Sequence, residues 1–261
     1  MFNVLVVGQT GCGKSSVVNL IAGHNLAPTS QGDDLGHCTD RCTEYSISVD
    51  RHQFQVFDTF GFLDPKLDSD MYTKAIAETY RAIRTFKARG GIDMLLYCIR
   101  DDEVNNQQKM KSYYRLFREV LCGKEVPIAF VVTNRGSPMS PLNAAHYKAI
   151  LTARNITYFD CVCVNVAKTP GLDGPVDTKS QETVRNLLVK CCEAPKPRST
   201  VLQHAWQVAK KLIERGQSLT GKQIKTLLTR RCKMDSETAA LVVAGLNLQV
   251  EVYPNPEPHG K

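Results

Sequence analysis

Eight residues carry the strongest chemical signal: Gly8-Gln9-Thr10-Gly11-Cys12-Gly13-Lys14-Ser15, placed directly after the apolar run Phe2 to Val7. They fit the spacing G-x-x-x-x-G-K-[ST]. In that pattern glycines let the backbone wrap an anion and aim successive N–H groups at phosphate oxygens. Lys14 is placed to reach β- and γ-phosphates, and the Ser15 hydroxyl to ligate Mg²⁺. Ser16 completes the phosphate-binding set. A strand-like FNVLVV enters the loop and a helix-like KSSVVNLIAG leaves it, with Gly23 as a C-cap. The helix N-terminus adds a favourable dipole. The pattern predicts a bound nucleoside triphosphate.

Four further sites bear on which nucleotide is bound and what happens to it. Asp58-Thr59-Phe60-Gly61 ends the apolar run Phe54–Phe57. An acid at such a strand end supports Mg²⁺, and the Gly61 N–H can bond a γ-phosphate and sense its loss. The polar stretch from His24 to Thr43 suits a switch segment. Thr39 is the expected second Mg²⁺ ligand from it, with Thr29 and Thr43 as alternatives. His37, Cys38 and Cys42 lack a fourth ligand nearby and read as loop residues rather than a zinc site.

After the apolar run Ile128–Val132 a guanine reader would show N-K-x-D, whereas this chain has Thr133-Asn134-Arg135-Gly136-Ser137. Asn134 and Arg135 can stand for the first two positions, and Arg135 can stack on a base. The acid is missing, and charge-assisted pairing is about twice as strong as a neutral hydrogen bond. Guanine selectivity is therefore expected to be weakened or carried elsewhere. Val166-Ala167-Lys168 follows Tyr158–Val164 and offers the Ala167 N–H to guanine O6, with Lys168 packing over the base. Phe62 stands where many GTPases orient water with glutamine, so hydrolysis needs another group, a partner in trans, or is slow. Cys12 reads as a small loop side chain. The alternative is a redox-sensitive thiol with a pKa lowered by the helix N-terminus and Lys14.

The elements that must hold these residues alternate. Strand signals recur at Phe2–Val7, Phe54–Phe57, Met94–Ile99, Ile128–Val132 and Tyr158–Val164, with a more polar edge strand over Glu44–Val49. Helical periodicity falls near Lys14–Ala22, Met71–Ala88, Asn105–Leu121, Pro141–Ala153 and Ser180–Cys192. This order predicts an α/β three-layer fold, a mainly parallel sheet with one antiparallel edge strand. The phosphate loop then lies at the carboxyl edge, where such sheets bind ligands. The expected organisation is a nucleotide-binding domain over 1–193, a linker at 194–199, a basic helical extension over 200–252 and a disordered tail over 253–261. The extension's helices are placed near Val201–Arg215, Gly221–Arg231 and Glu237–Gly245.

The chain has 261 residues, ten cysteines without disulfide-framework spacing, and a formal net charge of +7. Met1 directly precedes a core strand, and no long apolar run is present, so the expected location is cytoplasmic. Residues 194–261 carry eleven Lys and Arg against five Asp and Glu, leaving 22 against 21 before them. The basicity belongs to the extension, as a solvated helical surface or as a face for an anionic partner such as a membrane surface. Nucleic acid is disfavoured, since Trp206 and Tyr253 are the only aromatics there.

GQTGCGKSSVVNLIAG, Cys38-Thr39, DTFGF, GIDMLLYCIR and SYYRLFREVLC together resemble a known group over residues 2–192. It is the fungal branch of the avirulence-induced and immunity-associated (GIMAP-type) GTPases, relatives of septins and of the chloroplast import GTPases. The resemblance implies a Ras-like P-loop G domain, GTP/GDP with Mg²⁺, slow intrinsic turnover and association of G domains across the nucleotide face. It implies phosphate and metal roles for Lys14, Ser15, Thr39, Asp58 and Gly61, and a hydrophobic substitution at Phe62. The chain departs from it at Asn134–Ser137. The leading expectation is a GTP-binding switch with slow Mg²⁺-dependent hydrolysis, in which Lys14, Thr39 and Gly61 are the catalytic candidates and a homodimer assists. The alternatives are a non-catalytic nucleotide-dependent binding module and an NTPase of relaxed or adenine specificity.

Overall fold

The computed structural model describes residues 1–29, 42–62, 68–122, 126–134, 143–166, 177–194 and 221–252. Six strands form one sheet: β1 (Phe2–Gly8), β2 (Thr43–Val49), β3 (His52–Asp58), β4 (Met94–Arg100), β5 (Ile128–Asn134) and β6 (Asp160–Asn165). Their spatial order is β2-β3-β1-β4-β5-β6, parallel except for the antiparallel pair β2–β3. The expected mainly parallel sheet with one antiparallel edge strand is thus the architecture found. The apolar runs of β1, β4 and β5 are buried along nearly their whole length because helices cover both faces.

Alternation along β1 separates the two faces. Val4 and Val6 join a core with Val17, Val18 and Ile21 of α1 (Lys14–Ala22) and Val184 and Leu188 of α5 (Thr178–Glu193). Leu5 and Val7 face the opposite core, built with α2 (Ser69–Ala88) and α3 (Gln107–Arg115) and completed by Tyr147 and Leu151 of α4 (Ala144–Ala153). The side chains of Asp68, Asn106 and Asn143 cap α2, α3 and α4 by accepting first-turn N–H bonds. After α3 the chain continues through a π-type turn over Leu116–Leu121.

The starts of two strands differ from expectation by two residues. β3 begins at His52, earlier than its apolar run, because Asp50 adopts φ 52° and turns β2 straight back. Serines then pair with glutamines across the hairpin, Ser46 with Gln55 at 2.9 Å and Ser48 with Gln53 at 3.0 Å. β6 starts at Asp160 rather than Tyr158, where pairing with Ala129 begins.

The C-terminal helices α6 (Gly221–Arg231) and α7 (Ser236–Val252) pack on the body. Leu228, Cys232, Met234, Ala239 and Val242 enter the same core as Tyr72 and Ile76 of α2. α7 runs past Gly245, which the sequence offered as a helix end. The glycine instead permits close helix contact: a Cβ there would lie 2.6 Å from the Thr73 carbonyl and 2.9 Å from Ile76 Cβ. Among the described residues no helix is long and apolar enough to cross a membrane.

Candidate nucleotide site

β1 ends on Gly8 and the chain enters α1 six residues later, at Lys14. Gly13 makes the last turn at φ 83°, in the left-handed region that favours glycine. The Cys12 N–H donates to the Gln9 carbonyl at 3.3 Å, and Thr133 Oγ1 of β5 donates to the Cys12 carbonyl at 2.9 Å. Lys14 is buried, and its ammonium donates to the Gln9 carbonyl at 2.9 Å. The loop therefore holds its own lysine folded over the turn. Ser16 follows on α1, half-buried.

Parallel pairing sets Asp58 opposite Val6, one strand from the loop. Ser15 Oγ donates to Asp58 Oδ2 at 2.6 Å. The Asp58 side chain is buried, and its Oδ1 has no hydrogen-bond partner among the described residues. Burial pushes the Asp58 carboxyl above its ordinary value, opposed by the Lys14 charge and the Ser15 hydrogen bond. A buried carboxylate oxygen left without a donor, beside a serine hydroxyl, is a donor set that a hard dication completes. Mg²⁺ takes oxygen ligands of this kind together with substrate phosphates. The residues fit the metal.

Gly61 lies tightly against the loop: a Cβ there would sit 2.7 Å from Thr10 Cα and 2.9 Å from Lys14 Nζ. The Phe62 N–H donates to the Gly8 carbonyl at 3.3 Å, and the Thr10 N–H to the Phe62 carbonyl at 3.1 Å. The segment after Asp58 is thus joined to the phosphate loop through its backbone. The Phe62 ring turns away, into the core, with centroids 5.1 Å from Phe117 and 6.2 Å from Tyr72. Its side chain is a packing residue and takes no place near the loop.

Cys12 corrects the redox alternative. Its side chain is 1% exposed and faces the α1–α5 core. Burial pushes the thiol up, and that outweighs the lowering by Lys14. The helix N-terminus and Lys14 predicted the reverse, but they act on a thiol that the turn directs away from solvent. Cys12 serves the loop through its backbone.

At the carboxyl edge of the sheet, Asn134 closes β5 and is buried, and its carbonyl accepts from the Val166 N–H at 2.8 Å. The ends of β5 and β6 are adjacent, Asn134 pairing with Asn165. Arg135, Ala167 and Lys168, like Thr39, lie outside the described residues. So do the helix expected near Val201–Arg215, the linker after Ala194 and the tail from 253. The residues brought together are Gly8–Ser16, Asp58 and Gly61.

One cluster beside the loop belongs to no sequence motif. With its amide O and N assigned to suit their neighbours, the Gln9 carboxamide has Nε2 donating to Glu103 Oε1 at 2.9 Å and Oε1 accepting from Lys109 Nζ at 3.1 Å. A cavity of about 40 Å³ borders it, lined in part by Tyr97, Asn106 and Met110. Burial pushes the Glu103 carboxyl up, against the pull of Arg100 and Lys109. The available signal was the acidic Asp101-Asp102-Glu103 turn following a strand at the ligand-binding edge.

A family model described as 50S ribosome-binding GTPase matches residues 3–134. Cell division control protein 10 of Saccharomyces cerevisiae is 37% identical over 71 residues, 24% of this chain and 22% of that protein. Era in complex with MgGDPNP and nucleotides 1506–1542 of 16S ribosomal RNA is similar with a TM-score of 0.52 at 15% identity, over 76% of this chain and 58% of that one. A variant of Aquifex aeolicus Era bound to GDP and AlF4⁻ gives 0.50 at 16% identity, over 75% and 57%. At these identities the two structures speak for the fold alone. The chain spans about a fifth of the yeast protein and less than two thirds of either Era chain.

Proposed function

Because the chain belongs to the 50S ribosome-binding GTPase family, we propose that this GTP-binding G-domain protein is a slow Mg²⁺-dependent GTP hydrolase. It acts as a switch and turns over faster when two G domains associate. The observation that carries this reading is the Ser15–Asp58 contact with Asp58 Oδ1 unpartnered, beside a lysine held over the phosphate loop. Lys14 meets the β- and γ-phosphates, and the loop N–H groups cradle them. Ser15 and Asp58 hold Mg²⁺, joined by Thr39, and the metal supplies charge neutralisation at the phosphates. The Gly61 N–H bonds the γ-phosphate. Asn134, Arg135, Ala167 and Lys168 face the base.

The Phe62 ring is committed to the core, so the residue after Gly61 cannot orient the attacking water. A group supplied across a dimer would do so. Within the family we place the chain beside the immunity-associated branch, on the GIDMLLYCIR and SYYRLFREVLC segments that form β4 and the end of α3.

A calorimetric panel of GTP, GDP and ATP, with released phosphate measured in parallel, tests the reading. GTP should outcompete ATP, and phosphate release per molecule should rise with protein concentration. A flat specific rate removes the dimer, and preferential ATP binding sinks the guanine assignment. The packing of α7 on α2, the helix that follows Asp58–Phe62, favours a second reading. In it the G domain gates a basic helical extension that is the binding surface for an anionic partner, without turnover. Partner binding that follows nucleotide state, with no phosphate release above a blank, would select it.

A further inference from the structure

We propose that Glu103 and Lys109 are positioning residues of the nucleotide site, acting through the Gln9 side chain to fix the backbone carbonyl on which the Lys14 ammonium rests. Three observations carry it. The first is continuity: in the amide orientation that suits both neighbours, Lys109 on α3 donates to Gln9 Oε1 and Gln9 Nε2 donates to Glu103, and the Gln9 carbonyl accepts Lys14 Nζ at 2.9 Å. The second is the cavity of about 40 Å³ alongside Gln9. A side chain packed on all sides is held by contact alone, whereas one bordering a void depends on its polar partners. The third is that the competing cation is engaged. Arg100 pulls on Glu103, yet its guanidinium is bidentate on Asp102, at 3.0 and 2.7 Å. Glu103 is left to Gln9 and to the Lys109 charge.

The clamp gives α3 a lever on the phosphates. Lys109 stands in the first turn of α3, where its N–H is capped by Asn106 at 3.3 Å. A shift of that turn moves Lys109, then Gln9, then the carbonyl under Lys14. The distance from α3 to the lysine is crossed by two side chains and no packed layer. Gln9 has the length and the paired donor and acceptor that the relay needs; alanine or serine there would break it.

The consequence for affinity rests on the GTP-binding reading above, while the local order of the loop does not, so the test measures both. Lys109→Met and Glu103→Gln are made singly, and each again in a Gln9→Ala background. Hydrogen exchange is followed on peptides covering residues 8–15 in nucleotide-free protein, and Kd is measured for a non-hydrolysable GTP analogue. Each single variant should speed exchange in residues 8–15 and weaken the analogue about tenfold, since hydrogen bonds to charged groups are the stronger ones. In the Gln9→Ala background neither substitution should add anything. Unchanged exchange in residues 8–15, or a loss that repeats in full without the Gln9 side chain, overturns the clamp. If wild-type protein binds no guanine nucleotide yet exchange responds as stated, the functional reading falls and the clamp stands.

Discussion

Phe62→Gln places glutamine where a water-orienting residue is found in many GTPases, and it should fail to raise turnover. The Phe62 ring is 1% exposed, with centroids 6.2 Å from Tyr72, 6.0 Å from Tyr113 and 5.1 Å from Phe117. Its backbone stays joined to Gly8 and Thr10 whatever the side chain, so the new carboxamide enters the aromatic core. Losing the buried ring costs about 2–3 kcal/mol of transfer free energy. Burying an amide without partners adds about 1–3 kcal/mol. The sum, about 3–6 kcal/mol, corresponds to a fall in Tm of about 6–24 °C at about 2–4 °C per kcal/mol for a chain of this size. Phe62→Leu, which keeps an apolar side chain, should cost about 1–2 kcal/mol. Urea unfolding gives the stability difference, and released phosphate at saturating GTP gives kcat. A Phe62→Gln protein within 1 kcal/mol of wild type, or one releasing phosphate tenfold faster, would refute the reasoning and put the side chain beside the γ-phosphate.

Other perturbations read other parts of the site. Gly61→Ala brings a Cβ to 2.7 Å from Thr10 Cα and 2.9 Å from Lys14 Nζ, so the loop or the segment must retreat; GTP affinity should fall by about tenfold or more relative to GDP, checked by competition binding. Asp58 has a folded pKa raised above its usual 3.8 by burial. Folding therefore favours its protonated form, and apo-protein stability from this group is greatest below the unfolded value and declines as pH rises through the folded value. Asp58→Asn should remove that decline. The Tm difference between variant and wild type should grow from pH 4 to pH 7 without metal, while Mg²⁺-dependent nucleotide binding is lost in calorimetry. Gly245→Ala sets a Cβ 2.6 Å from the Thr73 carbonyl and should lower stability by about 1–3 kcal/mol, measured by urea unfolding. An unchanged midpoint would mean that α7 does not rest on α2.

The phosphate loop was legible because its chemistry is local: eight residues, a strand before and a helix after. The mainly parallel sheet followed from the same alternation, since long apolar runs such as Met94–Ile99 are buried inside a parallel sheet covered on both faces. What the sequence hid were directions and approaches. Nothing local says that Cys12 turns under the loop, because that depends on Thr133, 121 residues away, holding its carbonyl. Nothing local separates a glycine that ends a helix from one that admits a neighbour, and Gly245 is the second kind. The polar starts of β3 were missed since their stabilisation is cross-strand, Ser46 with Gln55 and Ser48 with Gln53. The Glu103–Gln9–Lys109 contact joins three elements and has no spacing to search for.

Packing also bears on why the water-orienting position is empty. The backbone of Phe62 continues β1 as a parallel bridge to Gln9, and its ring joins the α2–α3 core that also holds Leu228, Ala239 and Val242 from the C-terminal helices. A glutamine pointing toward the phosphates would leave a ring-sized void where three aromatic side chains converge. Voids of that size are costly because neighbours relax only partly. The residue that many GTPases assign to water is here assigned to the joint between the phosphate loop, α2 and α3. Any movement of Asp58–Phe62 with the γ-phosphate must therefore repack that joint. On the function proposed above, a barrier of this kind would slow switching in a lone G domain and would favour help from outside the chain.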